Sequence, residues 1–258
     1  MKTSEVRYFL EIAYNGKNYC GWQKQPDENT VQQEIERFLS KVLQQEINTM
    51  GAGRTDAGVH ARQMFLHFDI SEAITITNFL YRANSFLPSD ISVLNIYKVN
   101  DDDHARFNAI AREYKYYVSI EKDPFSIASA YQINNTPNLK LMNEAASSLL
   151  DYTNFQCFSK VKTGVHTFNC KVTKAAWTAK DGKLIFTISA DRFLRNMVRA
   201  IVGTLLEVGS GKITIAEFHD IIKSKDRGAA GTSVPAHGLY LTKIIYPETV
   251  SLIPIKTL

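Results

Sequence analysis

A run of ten residues, Gly51-Ala-Gly-Arg-Thr-Asp-Ala-Gly-Val-His60, sets one carboxylate, Asp56, two positions after a guanidinium, Arg54. Glycines at 51, 53 and 58 permit tight or left-handed backbone and the close approach of another chain. A loop carboxylate can act as a nucleophile when a nearby cation keeps it ionised. It can equally form a turn or cap a helix, and on spacing alone that plainer reading is the stronger. The segment is neither a Walker phosphate loop nor a glycine-rich dinucleotide fingerprint. His60 reads as an orienting or core histidine rather than a catalytic one.

Other candidates are spread along the chain. Tyr114 lies in an alternating stretch with Tyr116, Val118 and Ile120, where an ordinary strand aromatic is the plain expectation. Arg106, in His104-Ala-Arg-Phe107, suits a phosphate contact and equally a solvated surface. Arg192, Arg195 and Arg199 fall at helical spacing, a basic stripe opposite an apolar face if one helix carries them. The run Asp101-Asp102-Asp103 reads as a solvated turn, because no second carboxylate or histidine cluster has metal-ligand spacing. Cys20 reads as a small buried residue.

Elements must position these groups. Val6 to Tyr14 reads as a strand ending at Asn15-Gly16. Thr30 caps a helix, with Gln33 placed for a capping box and Val31, Ile35, Phe38, Leu39, Val42 and Leu43 on one face. Short strands are expected at Ile47–Met50 and Gln63–Phe68, a helix at Thr75–Phe86, and strands at Ile91–Val99 and Glu113–Glu121. The polar stretch Gln132–Lys140 is the best linker candidate. Beyond it a helix is expected at Leu139–Leu150, then strands at Cys170–Ala179 and Lys183–Ala190. A long helix opening near Phe193, a shorter one at Ile215–Lys223 and a strand at Leu239–Tyr246 complete the pattern. Strands that alternate with covering helices make the class α+β.

Composition narrows the function. The chain has 258 residues, is 45% hydrophobic and carries a net charge of +4. It can bury a sizeable core, and its mild positive excess fits an acidic partner without requiring one. Three cysteines without a CxxC pair argue against a disulfide framework or a cysteine zinc site and for a reducing compartment. The start lacks the apolar run of a signal peptide, and no stretch of 18 apolar residues exists. A cytoplasmic protein with no membrane contact is the expectation.

As a string, GRTDAGVHA resembles the active-site signature of the TruA family of transfer RNA pseudouridine synthases. The resemblance continues through Tyr14-Asn-Gly-Lys-Asn-Tyr-Cys-Gly-Trp-Gln-Lys-Gln25 and Thr30-Val-Gln32. It extends to His104-Ala-Arg-Phe107, Arg112-Glu-Tyr-Lys-Tyr116, Phe193-Leu-Arg-Asn-Met-Val-Arg199 and Gly238-Leu-Tyr-Leu241. There are departures: Arg62-Gln63 follows His60-Ala61 without the usual extra glycine, Asn154-Phe155 replaces an Asp-Phe pair, and Ala230–Ala236 is a variant of the family's text.

The resemblance implies two ferredoxin-like α/β halves with antiparallel sheets, joined around a central RNA-binding cleft. The expected division is residues 1–103, with the nucleophile loop, and 104–258, with the basic helix. It also implies isomerisation of uridine to pseudouridine in the anticodon stem-loop, at positions 38, 39 and 40, with neither cofactor nor metal. Asp56 is the implied nucleophile, Arg199 its charge partner, and Tyr114 the residue that stacks on the target base and helps move its C5 proton. Attack at C1′, attack at C6 and elimination to a glycal all use one such carboxylate. Arg54, Arg106, Arg192 and Arg195 become RNA contacts, and a homodimer is implied. The alternative is a catalytically silent RNA-binding protein of the same fold.

Overall fold

In the computed structural model, residues 5–71, 73–74, 78–161 and 164–255 are described. In chain order they form β1 (Val6–Tyr14), α1 (Val31–Leu43), β2 (Met50–Gly51), β3 (His60–Ile70), α2 (Phe79–Phe86) and β4 (Ile91–Lys98). They continue with β5 (Ala111–Ser119), β6 (Tyr131–Gln132), α3 (Leu139–Ser148), β7 (Val172–Lys180) and β8 (Lys183–Ala190). Last come α4 (Met197–Gly209), α5 (Ile215–Ser224), β9 (Leu239–Ile245) and β10 (Ile253–Pro254). The chain is thus a mixed α/β protein. Among the described residues no helix is long and apolar enough to cross a membrane.

Two compact units emerge: residues up to Ile110 together with those from Leu241 onward, and Ala111–Tyr240. The division expected after Asp103 differs from this at both ends. β9 pairs with β3, and Ile110 N donates to Ile245 O at 2.8 Å, so the chain's last segment belongs with its first. The polar stretch 132–140 is not a linker between units. It runs inside the second, where Asn138 Oδ1 caps α3 by accepting from Lys140 N and Leu141 N, each at 3.1 Å.

In the first unit the strands lie in the order β10-β4-β1-β3-β9, with β2 also paired to β3. The registers Leu10↔Leu66 and Glu11↔Asn95 fix which residues of β1 share a face. α1 and α2 meet over Phe38, whose ring lies 5.6 Å from Phe79 and 5.7 Å from Phe86. Burying a phenylalanine completely, as at Phe38, stabilises by roughly 1.5–3 kcal/mol. Thr30 caps α1 as expected, its hydroxyl accepting from Gln33 N at 3.4 Å. α2 is shorter than its sequence pattern: it begins after Asn78, and positions 75–77 of the expected helix lie outside the described residues. The expected strand Ile47–Met50 shrinks to the two residues of β2.

On another face of this sheet, Phe9, Phe65 and Tyr246 cluster, with the Tyr246 ring 5.5 Å from Phe9 and 5.3 Å from Phe65. The buried carboxylate of Glu11 sits in the same strand. It accepts from Gln63 Nε2 at 2.7 Å, Asn95 Nδ2 at 2.8 Å and Tyr97 Oη at 2.9 Å. Three donors offset the cost of burying a charge.

In the second unit β8 runs antiparallel between β5 and β7, and β6 pairs parallel to β5. α4 is the central helix: ten of its thirteen residues are buried. Its apolar pairs every four residues therefore mark a helix enclosed on nearly every side, not an amphipathic one. α5 carries the complete capping box, with Thr214 Oγ1 accepting from Glu217 N at 3.2 Å and Glu217 Oε2 accepting from Thr214 N at 2.7 Å.

Candidate active site

The Asp56 loop is clamped from below by the segment after β1. Gly16 runs so close that a Cβ there would lie 2.0 Å from Val59 O, and one at Gly21 would lie 2.4 Å from Thr55 O. Gly21 also sits at φ +93°, a conformation that favours glycine. Trp22, almost wholly buried, packs where a Gly51 Cβ would come within 2.5 Å of its indole nitrogen. Backbone bonds lock the contact: Trp22 N donates to Thr55 O at 3.2 Å and Gly58 N to Tyr19 O at 3.3 Å. Side chains add to them, as Tyr14 Oη and Thr55 Oγ1 share a hydrogen bond of 2.8 Å and His60 Nδ1 accepts from Gly16 N at 3.0 Å. His60 is thus the buried, orienting histidine expected.

Asp56 itself is half-buried at a turn, its carbonyl accepting from Val59 N at 3.1 Å, with Gly58 left-handed at φ +77°. Arg54 is exposed, and its Nε donates to Gln23 Oε1 at 3.1 Å. Behind that bond runs a polar relay that the sequence did not announce. Gln23 Nε2 donates to Gln32 Oε1 at 2.8 Å, and Gln32 Nε2 donates to Glu36 Oε1 at 3.0 Å and Thr49 O at 2.9 Å. The signal available was Gln32 and Glu36 four residues apart on the buried side of α1, polar groups that must find partners. Arg106 is also exposed, its guanidinium 5.7 Å from the centre of the exposed Phe107 ring. That loop is pinned by His67 Nδ1, which accepts from Ala105 N at 3.2 Å, and by the His67 and His104 rings, 4.5 Å apart.

The remaining candidates belong to the second unit. Tyr114 is half-buried on β5, its ring edge-on to Phe193 at 5.1 Å. Two residues along the strand, Tyr116 is buried and donates its hydroxyl to Pro235 O at 2.8 Å; burial pushes its phenol far up, against the pull of nearby Arg199. Arg199 Nε donates to the preceding carbonyl, Val234 O, at 2.7 Å, and Val234 N returns a bond to Arg199 O at 3.2 Å. Consecutive carbonyls of one loop thus hold both side chains.

The basic stripe needs correction. α4 begins at Met197, because Asn196 before it is left-handed at φ 67°. Arg192 and Arg195 therefore lie on the irregular approach to the helix, and only Arg199 is on it, in its first turn. Arg192 is half-buried with its N–H on Asp191 Oδ1 at 2.7 Å, while Arg195 is exposed and its carbonyl accepts from Lys160 N at 3.0 Å. The structure thus groups Asp56 with Arg54 and Arg106 in the first unit, and Tyr114 with Arg192, Arg195 and Arg199 in the second.

Cysteine and metal chemistry can be placed too. Cys20 is exposed, not buried as expected. Burial pushes the Cys157 and Cys170 thiols up to about 12 and about 11, which leaves them protonated near neutrality. Asp101 and Asp102 are exposed in a turn, but Asp103 is buried, accepting from Asn100 N at 3.0 Å. Among the described residues no group of three or more His, Cys, Asp or Glu could hold a metal ion.

A family model described as tRNA pseudouridine synthase matches residues 12–108 and 145–247. The chain is 51% identical over 251 residues to a protein of Parabacteroides distasonis named tRNA pseudouridine synthase A, covering 97% of this chain and 99% of that one. A Porphyromonas gingivalis protein of the same name is 48% identical over 254 residues, 96% of this chain and 100% of its own. One from Clostridium acetobutylicum is 40% identical over 243 residues, 92% of this chain and 98% of its own.

Proposed function

The chain belongs to the tRNA pseudouridine synthase family, and from that premise we propose that Asp56 is the nucleophile with which it acts. It isomerises uridine to pseudouridine in transfer RNA. The bond between N1 of the base and C1′ of the ribose breaks, a bond from C5 to C1′ forms, the C5 proton leaves, and N1 ends with a proton in place of the sugar. The observation that carries the nucleophile assignment is the clamp on the 51–60 loop. Two glycines with no room for a side chain and two backbone bonds hold the peptide on either side of one half-buried carboxylate. A turn that only reversed the chain would not need that fixation, whereas a nucleophile must be held at one angle to the atom it attacks.

Tyr114 is read as the ring that stacks on the target base and handles its C5 proton, with the near-perpendicular ring of Phe193 steadying it. Arg199 is read as the cation that compensates Asp56. Arg54 and Arg106, exposed on loops of the first unit, and Arg192 and Arg195, on the approach to α4, are read as contacts to phosphate or to the space a flipped base leaves. The substrate site is the anticodon stem-loop, at positions 38, 39 and 40, the working form is a homodimer, and the location is the cytoplasm. Each unit is read as ferredoxin-like. The succession β1-α1-β2-β3-α2-β4 with β1 between β3 and β4 supports this in the first unit, and β5-α3-β7-β8-α4 with β8 between β5 and β7 supports it in the second.

The test is Asp56→Asn, assayed on unmodified transfer RNA by mapping pseudouridine. The change keeps size and hydrogen bonding and removes the nucleophilic charge. Turnover should vanish while the RNA still binds. Continued turnover, in protein free of wild type, removes Asp56 from the chemistry. A wild-type protein that binds the RNA and modifies none of its uridines is a silent binding protein instead.

A further inference from the structure

The loop that holds Arg199 is itself held by a second arginine. Lys225, left-handed at φ 56°, ends α5 and turns the chain so that Arg227 lies beneath residues 230–233. Arg227 Nη1 donates to Ala230 O at 3.1 Å and to Gly231 O at 3.2 Å, and Nη2 donates to Ser233 Oγ at 2.9 Å. The same stretch is seated directly on α4. A Cβ at Gly203 would lie 1.9 Å from Thr232 O, and Gly231 N donates to Thr204 Oγ1 at 3.0 Å. Two residues beyond Thr232 comes Val234 O, the acceptor of Arg199 Nε.

We propose that Arg227 is a positioning residue for Arg199: its fork fixes loop 230–234, and the loop fixes the guanidinium of Arg199 through Val234. The inference rests on the reading of Arg199 above as the partner of Asp56. By charge alone Arg227 would read as one more RNA-facing cation beside Arg192 and Arg195; its donors are instead spent on two carbonyls and a hydroxyl of the protein's own loop. The physical argument is geometric. A guanidinium is planar, so a bond from Nε to a fixed carbonyl sets both the roll of the plane and the direction of its two amino groups. Val234 O is a useful anchor only if the loop cannot shift, and Ala230 to Ser233 make no strand that would hold it. Lysine cannot replace Arg227, because one ammonium cannot span two carbonyls and a hydroxyl in fork geometry.

The test uses full-length Arg227→Lys and Arg227→Met, Arg199→Met, and the double variant Arg199→Met with Arg227→Lys. Arg227→Lys should lower kcat by roughly 10- to 100-fold, the cost of a small misplacement of a catalytic group. Affinity for transfer RNA and its salt dependence should stay at wild-type values. In the Arg199→Met background Arg227→Lys should cost nothing further. In 15N spectra the Arg199 Nε–H resonance, identified by its loss in Arg199→Met, should exchange with water faster in Arg227→Lys than in wild type. Wild-type kcat in Arg227→Lys, additive losses in the double variant, or lost affinity with a flatter salt slope would each overturn the proposal. If Arg227→Met fails to fold, Arg227→Lys and the resonance decide alone. Full activity of Arg199→Met would sink the reading of Arg199 instead, and the resonance would still report whether Arg227 holds it.

Discussion

The two units hold their candidate side chains by different means. In the first, the Asp56 loop is fixed by backbone pressed on backbone, with Gly16 under Val59 and Gly21 under Thr55. In the second, Arg199 is fixed by side chains reaching for carbonyls, its own to Val234 and that of Arg227 to Ala230 and Gly231. The first device fails when an atom is added, because close-packed backbone has nowhere to move. The second fails when a donor is removed, because the carbonyls it served lose their partner. The kind of substitution that does damage should therefore differ between the units.

The largest effect expected from that contrast is at Gly21. Alanine there must adopt φ near +93° and place a methyl 2.4 Å from Thr55 O. Strain and overpacking together should cost about 2–4 kcal/mol, read as a lower denaturant midpoint, and the displaced Asp56 should lose turnover by about 100-fold. Gly53, three residues before the carboxylate, is the control. A Cβ there meets nothing within 4 Å, so Gly53→Ala should stay within about 1 kcal/mol of wild type. If Gly53→Ala folds normally and yet loses turnover, the open side of that glycine is required by the RNA rather than by the chain. If Gly21→Ala is silent, the clamp is not what holds Asp56.

The same contrast separates what was legible in the sequence from what was not. In the first unit the tight backbone of the 51–60 loop could be anticipated because it is written as glycines in a short segment, and Gly51, like Gly16 and Gly21 before it, has its own steric reason. The role of Asp56 came from the family resemblance, not from that pattern. Strands β1, β3 and β8 were equally legible from apolar pattern and turn residues. The stretch Phe193–Asn196 was misread because its apolar spacing continues that of α4 without a break in hydrophobicity. What stops the helix is the left-handed backbone of Asn196, whose Nδ2 donates to Ser233 Oγ at 2.5 Å, a tertiary contact that no local pattern announces. Arg227 was hidden for a related reason: a charged residue in a polar segment gives no sign that its donors are turned inward. Cys20 was placed inside because cysteine is usually buried, yet its position beside the clamp leaves its side chain outside. The domain boundary was missed because β9 returns to β3 from more than a hundred residues away.

Acid should weaken the first unit's pins before those of the second. His67 ties the Ala105 N–H to β3 through an unprotonated Nδ1. Burial first, then the Arg7 cation and His104, push its imidazole down from 6.5 to about 4. The unfolded chain therefore binds a proton that the folded chain refuses, and stability falls as pH drops from about 6.5 toward 4. The bonds that hold Val234, Ala230 and Gly231 in the second unit do not depend on an unprotonated imidazole. Melting temperature should accordingly fall across it in wild type, and fall less steeply in His67→Gln. An unchanged slope in His67→Gln would show that the pin does not carry the acid sensitivity.

The smallest effect separates two arginines four residues apart in the chain but not on one helix. Arg195 is exposed on the turn before α4, while Arg199 is half-buried in the helix's first turn with Nε on Val234. An exposed arginine that meets a phosphate releases a counterion on binding. Arg195→Met should therefore weaken affinity for transfer RNA and make the slope of log affinity against log salt shallower by about 0.7 to 0.9. Arg199, if it compensates Asp56, contributes little to that slope, and Arg199→Met should lower turnover of the bound complex instead. Measuring affinity over a salt series and single-turnover rates at saturating protein resolves the two. If Arg199→Met flattens the slope and its complex turns over normally, Arg199 is one more phosphate contact, and the carbonyls that hold it position a binding residue rather than the partner of a nucleophile.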